Sequence, residues 1–266
     1  MSREILRPPL IERAKNLWKI TVKGEENLET AQQLLQGGPL VIIFNHTFSG
    51  DAFCGALTCW DSLLQGAKEL VVADSKKHLD WQRAFKNFRS PTENMNRKEA
   101  LEIMRNVVAI RVISKLIGVT LIPIVQSYDI DAYPEEALRS WRNLLKGLKE
   151  RAQKANIVFL FAPEGHRTEA EGELQKAKGG IAFVLEKLGD KCSCLPLGIF
   201  LKNPEPGRGL NLKEEVFVNI GEPFKLSDLP AVGQELSSRE KRQIKADWIM
   251  EQLAPLLPEN QRGYYR

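Results

Sequence analysis

Two apolar, branched runs that each break off into a polar turn constrain this chain more than any other feature. Val41-Ile42-Ile43-Phe44 ends at Asn45-His46, and Ile157-Val158-Phe159-Leu160-Phe161 ends at Ala162-Pro163-Glu164-Gly165. Both read as strands, and further strands are predicted near 19–23, 69–73, 119–125, 194–201 and 215–220. Helical patterns fall between several of them. One helix is expected from Arg97 to Ile117, closed by Gly118, and another from Gly180 to Leu188, ended by Gly189. A last one is expected from Ser238 to Leu257, stopped at Pro258. Strands alternating with helices predict an α/β fold with a largely parallel or mixed central sheet covered by helices on both faces. No repeat, low-complexity tract or linker interrupts the chain, so residues 1–266 read as a single domain.

The strand ends are where chemistry is expected, because α/β sheets place ligands beyond the carboxyl ends of their strands. His46 follows the first run, and Asp51 comes five residues later across Thr47-Phe48-Ser49-Gly50. Imidazole takes a proton near neutral pH, and a nearby carboxylate holds its tautomer and stabilises the imidazolium. The second turn carries Glu164, Gly165, His166 and Arg167. Gly165 lets backbone approach a ligand closely, and Arg167 offers a planar fork suited to phosphate. His166 reads either as a donor to a phosphate oxygen or as a satisfied turn histidine. His78, in Lys-Lys-His-Leu-Asp, reads as solvated surface.

Composition narrows the class. The apolar fraction of 43% supports a substantial core. Cys54, Cys59, Cys192 and Cys194 fall in no zinc-ligand spacing, so no metal is expected and the thiols read as buried and reduced, as in a cytosolic protein. No apolar run approaches the ~20 residues that span a bilayer, and the first residues lack the apolar core of a signal peptide. A net charge of +4 suits anionic lipid or a phosphorylated substrate. No basic motif interleaved with aromatics points to nucleic acid.

Two segments invite a membrane surface. In residues 1–20, Leu10, Ile11, Ala14, Leu17 and Trp18 form an apolar stripe of helical period behind Pro8-Pro9, among Arg3, Arg7, Arg13, Lys15 and Lys19. This basic amphipathic helix either lies in a membrane interface or packs on the domain. In residues 75–96, Trp81, Phe85 and Phe88 recur at helical spacing, with Lys76, Lys77, Arg83, Lys86 and Arg89 set against Asp80. That segment reads as a packed surface helix or as a lid that meets lipid.

Taken together, the two turns resemble the glycerolipid acyltransferase superfamily in its bacterial lysophosphatidate (1-acylglycerol-3-phosphate) acyltransferase form, which carries N-H-x-x-x-x-D early and F-P-E-G-T-R-S later. The likeness continues along most of the chain. Val22-Lys23-Gly24-Glu25-Glu26-Asn27-Leu28 is similar to the lead-in before the first motif. Gly172-Glu173-Leu174 and Lys178-Gly179-Gly180 follow the second. Cys194-Leu195-Pro196-Leu197-Gly198-Ile199 and Val216-Phe217-Val218-Asn219-Ile220-Gly221-Glu222-Pro223 are similar to the two late strands.

The resemblance implies transfer of a fatty acyl group from a thioester, on coenzyme A or acyl carrier protein, to a hydroxyl of a lysophospholipid or glycerol phosphate. It implies no cofactor beyond that donor. His46 would be the general base and Asp51 its orienting carboxylate, while Glu164, Gly165, His166 and Arg167 would hold the acceptor. The protein would act in phospholipid biosynthesis, in the cytoplasm and peripherally on the inner face of a membrane. Two positions depart from the pattern. His166 replaces the family's threonine, and Ile124 stands where the middle motif ends in an arginine. Arg97, Arg105 and Arg111 are candidate replacements for that charge. Two other functions stay open: a hydrolase passing the acyl group to water, and a non-catalytic lipid-surface module. Ser49 lies in no G-x-S-x-G elbow, which weakens the hydrolase.

Overall fold

A computed structural model describes residues 19–46, 51–64, 66–75, 80–90, 119–125, 133–165, 173–202 and 215–266, with isolated positions between 97 and 131. The proposed helix over 1–20 thus lies, except at its end, outside the described residues. In chain order the elements begin with strand β1 (Lys19–Lys23), helix α1 (Asn27–Gly37), β2 (Leu40–Phe44) and α2 (Asp51–Thr58). A π-helical turn (Trp60–Leu64) leads to β3 (Glu69–Ser75), α3 (Trp81–Arg89), β4 (Val119–Ile124) and α4 (Pro134–Arg151). Then come β5 (Ile157–Phe161), α5 (Gly180–Leu188), β6 (Ser193–Leu201), β7 (Glu215–Ile220), the short β8 (Phe224–Lys225) and α6 (Ser238–Leu253).

The chain divides into two compact units. One comprises Val71–Gly147, and the other joins Leu148–Arg266 to the described residues up to Leu70. In the second unit β2 lies between β5 and β6, parallel to both. β7 runs antiparallel beside β6 and carries β1 parallel on its far side, while β8 pairs antiparallel with β6. The sheet is therefore mixed, flanked by helices, and the fold is α/β. Every residue of β2 is buried. The alternation of side chains along β6 shows why. Leu197 and Ile199 meet Gly55 of α2, whereas Gly198 between them faces Leu256, beyond α6. A strand covered on both faces has no polar side, which is what a continuous apolar run encodes.

The first unit holds β4, α3 and most of α4. Val125, just past β4, donates its N–H to the Ser140 hydroxyl of α4 at 3.1 Å. Tyr133, which opens α4, donates to Asp80 at 3.0 Å. Arg97, Lys98, Ala100, Leu101, Met104 and Val108 are helical, in keeping with the helix expected from Arg97. Its end at Gly118 lies outside the described residues.

The last helix stops earlier than expected. α6 opens on a capping box in which the Ser237 hydroxyl accepts from Glu240 N–H and Glu240 Oε2 accepts from Ser237 N–H. It gives way at Ala254 to a tighter 3₁₀ turn, Ala254–Leu256. Pro255 is the reason: it has no N–H to donate back along an α-helix. Pro255 stands three residues before Pro258, so the α-helix ends four residues short of the expected Leu257.

Candidate active site

Asn45 is the first residue past β2, and it is fully buried. Its side-chain amide acts as a surrogate peptide toward β6: Nδ2 donates to the Ile199 carbonyl and Oδ1 accepts from the Ile199 N–H, both at 2.7 Å. The ladder is thereby extended by one rung just where the backbone turns away. That rung fixes the point from which His46 leaves the sheet.

His46 projects beside Phe44, edge to face, with its side chain about a quarter exposed. Nδ1 lies 2.8 Å from Asp51 Oδ2. Asp51 is only 1% exposed and opens α2, where a carboxylate suits the positive end of the helix. Its other oxygen accepts the Ala52 N–H at 2.7 Å. In a neutral imidazole this contact selects the tautomer with its proton on Nδ1.

The second turn meets the first through Glu164, which is fully buried. Glu164 Oε1 accepts the backbone N–H of His46 and Oε2 that of Gln175, both at 2.9 Å. Burial pushes this carboxyl up to about 7, against the two N–H donors and the His46 ring, which pull it down; Asp51 adds to the rise. Its described contacts make Glu164 a brace between turns 118 residues apart in sequence. Gly165 follows at φ +75°, closing a turn in which its N–H donates to the Ala162 carbonyl. A Cβ there would meet only the Lys178 stem, at 3.8 Å, so the left-handed backbone rather than crowding calls for glycine.

His46, Asp51, Glu164 and Gly165 are thus brought together, while His166 and Arg167 lie outside the described residues. Ile124, at the position of the middle-motif arginine, is buried at the end of β4. Arg97 is exposed. Arg105 and Arg111 lie outside the described residues. Cys54, one turn along α2 from Asp51, is buried, and burial with the Asp51 charge pushes its thiol up to about 12. A thiol held neutral is no nucleophile, so Cys54 is a packing residue; Cys59, Cys192 and Cys194 are likewise buried and free. Among the described residues no group of three or more His, Cys, Asp or Glu is placed to hold a metal ion. None of the described helices is long and apolar enough to cross a membrane.

The roles of Asn45 and Gln175 were not assigned from sequence. Asn45 stands in the N-H-x-x-x-x-D motif itself, which is the signal that could have found it. Gln175 contributes only its backbone, and no side-chain pattern marks such a residue.

The α/β sheet thus carries a histidine–carboxylate pair just past the end of a buried strand. The sequence profile of the Acyltransferase family matches residues 19–200, well over half of the chain. The protein belongs to the acyltransferase family. No curated protein sequence matches it. Among solved structures it is similar to the 1-acyl-sn-glycerophosphate (LPA) acyltransferase PlsC from Thermotoga maritima, at 17% identity and a TM-score of 0.47. That similarity covers 93% of this chain and 74% of the other.

Proposed function

We propose that this acyltransferase moves a fatty acyl group from a thioester to a free hydroxyl of a lysophospholipid or glycerol phosphate, with His46 as general base. The observation that carries the reading is the 2.8 Å contact between His46 Nδ1 and the buried Asp51. The acceptor hydroxyl gives its proton to His46 Nε2 as its oxygen attacks the thioester carbonyl. The tetrahedral intermediate collapses by breaking the C–S bond, and the imidazolium returns the proton to the departing thiolate. Asp51 stabilises the imidazolium between those two moments. No acyl-enzyme is formed, and the donor is acyl-coenzyme A or acyl carrier protein. Arg167, two residues past Gly165 in sequence, pairs with the acceptor phosphate, and Gly165 and His166 complete the acceptor-binding set.

Arg167→Ala tests the acceptor half of this reading. The fork serves ground and transition states alike, so its loss should raise the KM for a phosphorylated acceptor about tenfold or more and spare kcat. Steady-state kinetics over a panel of lysolipids and glycerol phosphate would show it, with the donor KM little changed. An equal rise for both substrates would assign Arg167 to the donor instead.

The site works, in this proposal, at the surface of the membrane that supplies the acceptor, on its cytoplasmic side. Supporting this, Lys86 and Arg89 of α3 are exposed beside Phe85, whose ring lies 4.7 Å below the Arg89 guanidinium. On α4, Leu138 is 70% exposed and Trp141 38%, next to exposed Arg139 and Arg142. Apolar and cationic side chains on one helical face suit an anionic interface, where each cation contributes about 1 kcal/mol. The protein should therefore cosediment with anionic vesicles at low salt and detach at about 0.5 M, since screening shortens the reach of surface charge. Deleting residues 1–18 should weaken vesicle binding more than turnover of a soluble short-chain acceptor. Salt-insensitive binding, or none, would remove the electrostatic part of this reading.

A further inference from the structure

The residues that brace the site are themselves held from behind. The segment Gln261–Arg266 lies along Leu174–Ala177. Leu174 is bonded in both directions: its N–H donates to the Gln261 carbonyl and its carbonyl accepts from the Tyr264 N–H, each at 3.0 Å. Three residues on, the Ala177 N–H donates to the Tyr265 hydroxyl at 2.9 Å. That hydroxyl donates in turn to Asp247 Oδ1 of α6 at 2.8 Å. Gln243 Nε2 closes the ring by donating to the Ala177 carbonyl at 2.9 Å and to Asp247 Oδ1 at 3.0 Å. The approach is close enough to demand glycine at 263, where φ is +50° and a Cβ would lie 2.2 Å from the Leu174 carbonyl oxygen.

Between the two clamped residues sits Gln175, whose N–H reaches Glu164 Oε2 at 2.9 Å. The other oxygen of Glu164 holds the His46 N–H. Hydrogen bonds joined by the covalent backbone of 175–177 therefore connect α6, through Tyr265 and Glu164, to the residue that carries the base. Each link is short, and the last two meet a fully buried carboxylate, where a donor displaced by a few tenths of an ångström is not replaced by bulk water.

We infer that Tyr265 is a positioning residue for the acyl-transfer site: with Leu174 and Ala177 fixed, the Gln175 N–H is aimed at Glu164, and Glu164 sets where His46 stands. The inference rests on His46 being the base, but the clamp itself can be tested without catalysis. Tyr265→Phe keeps the ring and removes only the hydroxyl. In the full chain, hydrogen exchange read by NMR should show the Gln175 amide exchanging about tenfold faster or more, with amides of β2 and β6 unchanged. kcat should fall about tenfold while both KM values stay near wild type, as expected when ground-state binding is intact. In a Glu164→Gln background the same change should cost less than in wild type, because the link through which it acts is already altered.

An unaltered Gln175 amide would overturn the inference, and so would an equal kcat loss in both backgrounds, which is the mark of a merely structural residue. If Tyr265→Phe unfolds, Asp247→Asn, which retains an acceptor oxygen for the Tyr265 hydroxyl, should show the same exchange pattern in weaker form. Should wild type transfer no acyl group at all, the proposed reaction fails, and the exchange measurement still decides the clamp.

Discussion

Replacing His46 by alanine should lower acyl transfer by about 10²–10⁴-fold and leave the melting curve nearly unchanged. The rate falls because the acceptor hydroxyl loses the group that removes its proton. The fold survives because the part of His46 that braces the site is its backbone N–H on Glu164, and alanine keeps it. Asp51 loses one partner but retains the Ala52 N–H on its other oxygen. Asp51→Asn should produce a loss of comparable order by another route: the side chain keeps its shape, but the imidazolium has no charge to stabilise it. Steady-state rates paired with calorimetry separate the two halves of the claim. Near-normal turnover of the alanine variant on an unchanged melting curve would remove His46 from the mechanism.

Glu164 should give the largest stability effect. Glu164→Ala leaves the N–H groups of His46 and Gln175 without their acceptor behind a fully buried position. Each lost partner costs about 1–3 kcal/mol, so a drop of about 2–6 kcal/mol is expected by denaturant titration, with activity lost as well. Glu164→Gln isolates the charge. The folded carboxyl binds its proton up to about pH 7, against an ordinary 4.5, because burial disfavours the ion. Its contribution to stability is therefore complete below pH 4.5 and lost progressively as pH rises toward 7. The difference in unfolding free energy between wild type and the glutamine variant should shift against wild type across that window and be flat above it. A flat difference throughout would mean that Glu164 is not perturbed by its burial.

The strands were legible because their code is local. Lys19–Lys23 and Glu215–Ile220 fall where hydropathy places them, and α5 ends where Gly189 stands. α2 was harder to place: Asp51–Thr58 is two turns long and carries Gly55 in its interior, so it has little helical signal of its own. It forms because Gly55 lets it settle against Leu197 and Ile199 of β6. β8, two residues long, offers no periodicity at all.

The site divides the same way. The pairing of His46 with Asp51 is written in one stretch of eleven residues and can be read there. The brace is not local: Glu164 selects backbone donors that lie 118 residues before it and 11 after it, and backbone groups leave no residue-type trace. The resemblance places Glu164 among the acceptor-binding residues, and its hydrogen bonds to the His46 and Gln175 main chain are a further feature that no residue type announces.

The central claim, direct acyl transfer promoted by His46, is tested most directly by following a labelled acyl group. Wild-type protein and the His46→Ala variant would each be incubated with a labelled acyl thioester and a lysolipid, and label counted in product lipid, free fatty acid and protein. Label moving into product lipid in wild type, at background in the variant and never on the protein, is the expected result. Label accumulating as free fatty acid, or bound covalently to the protein, would contradict it.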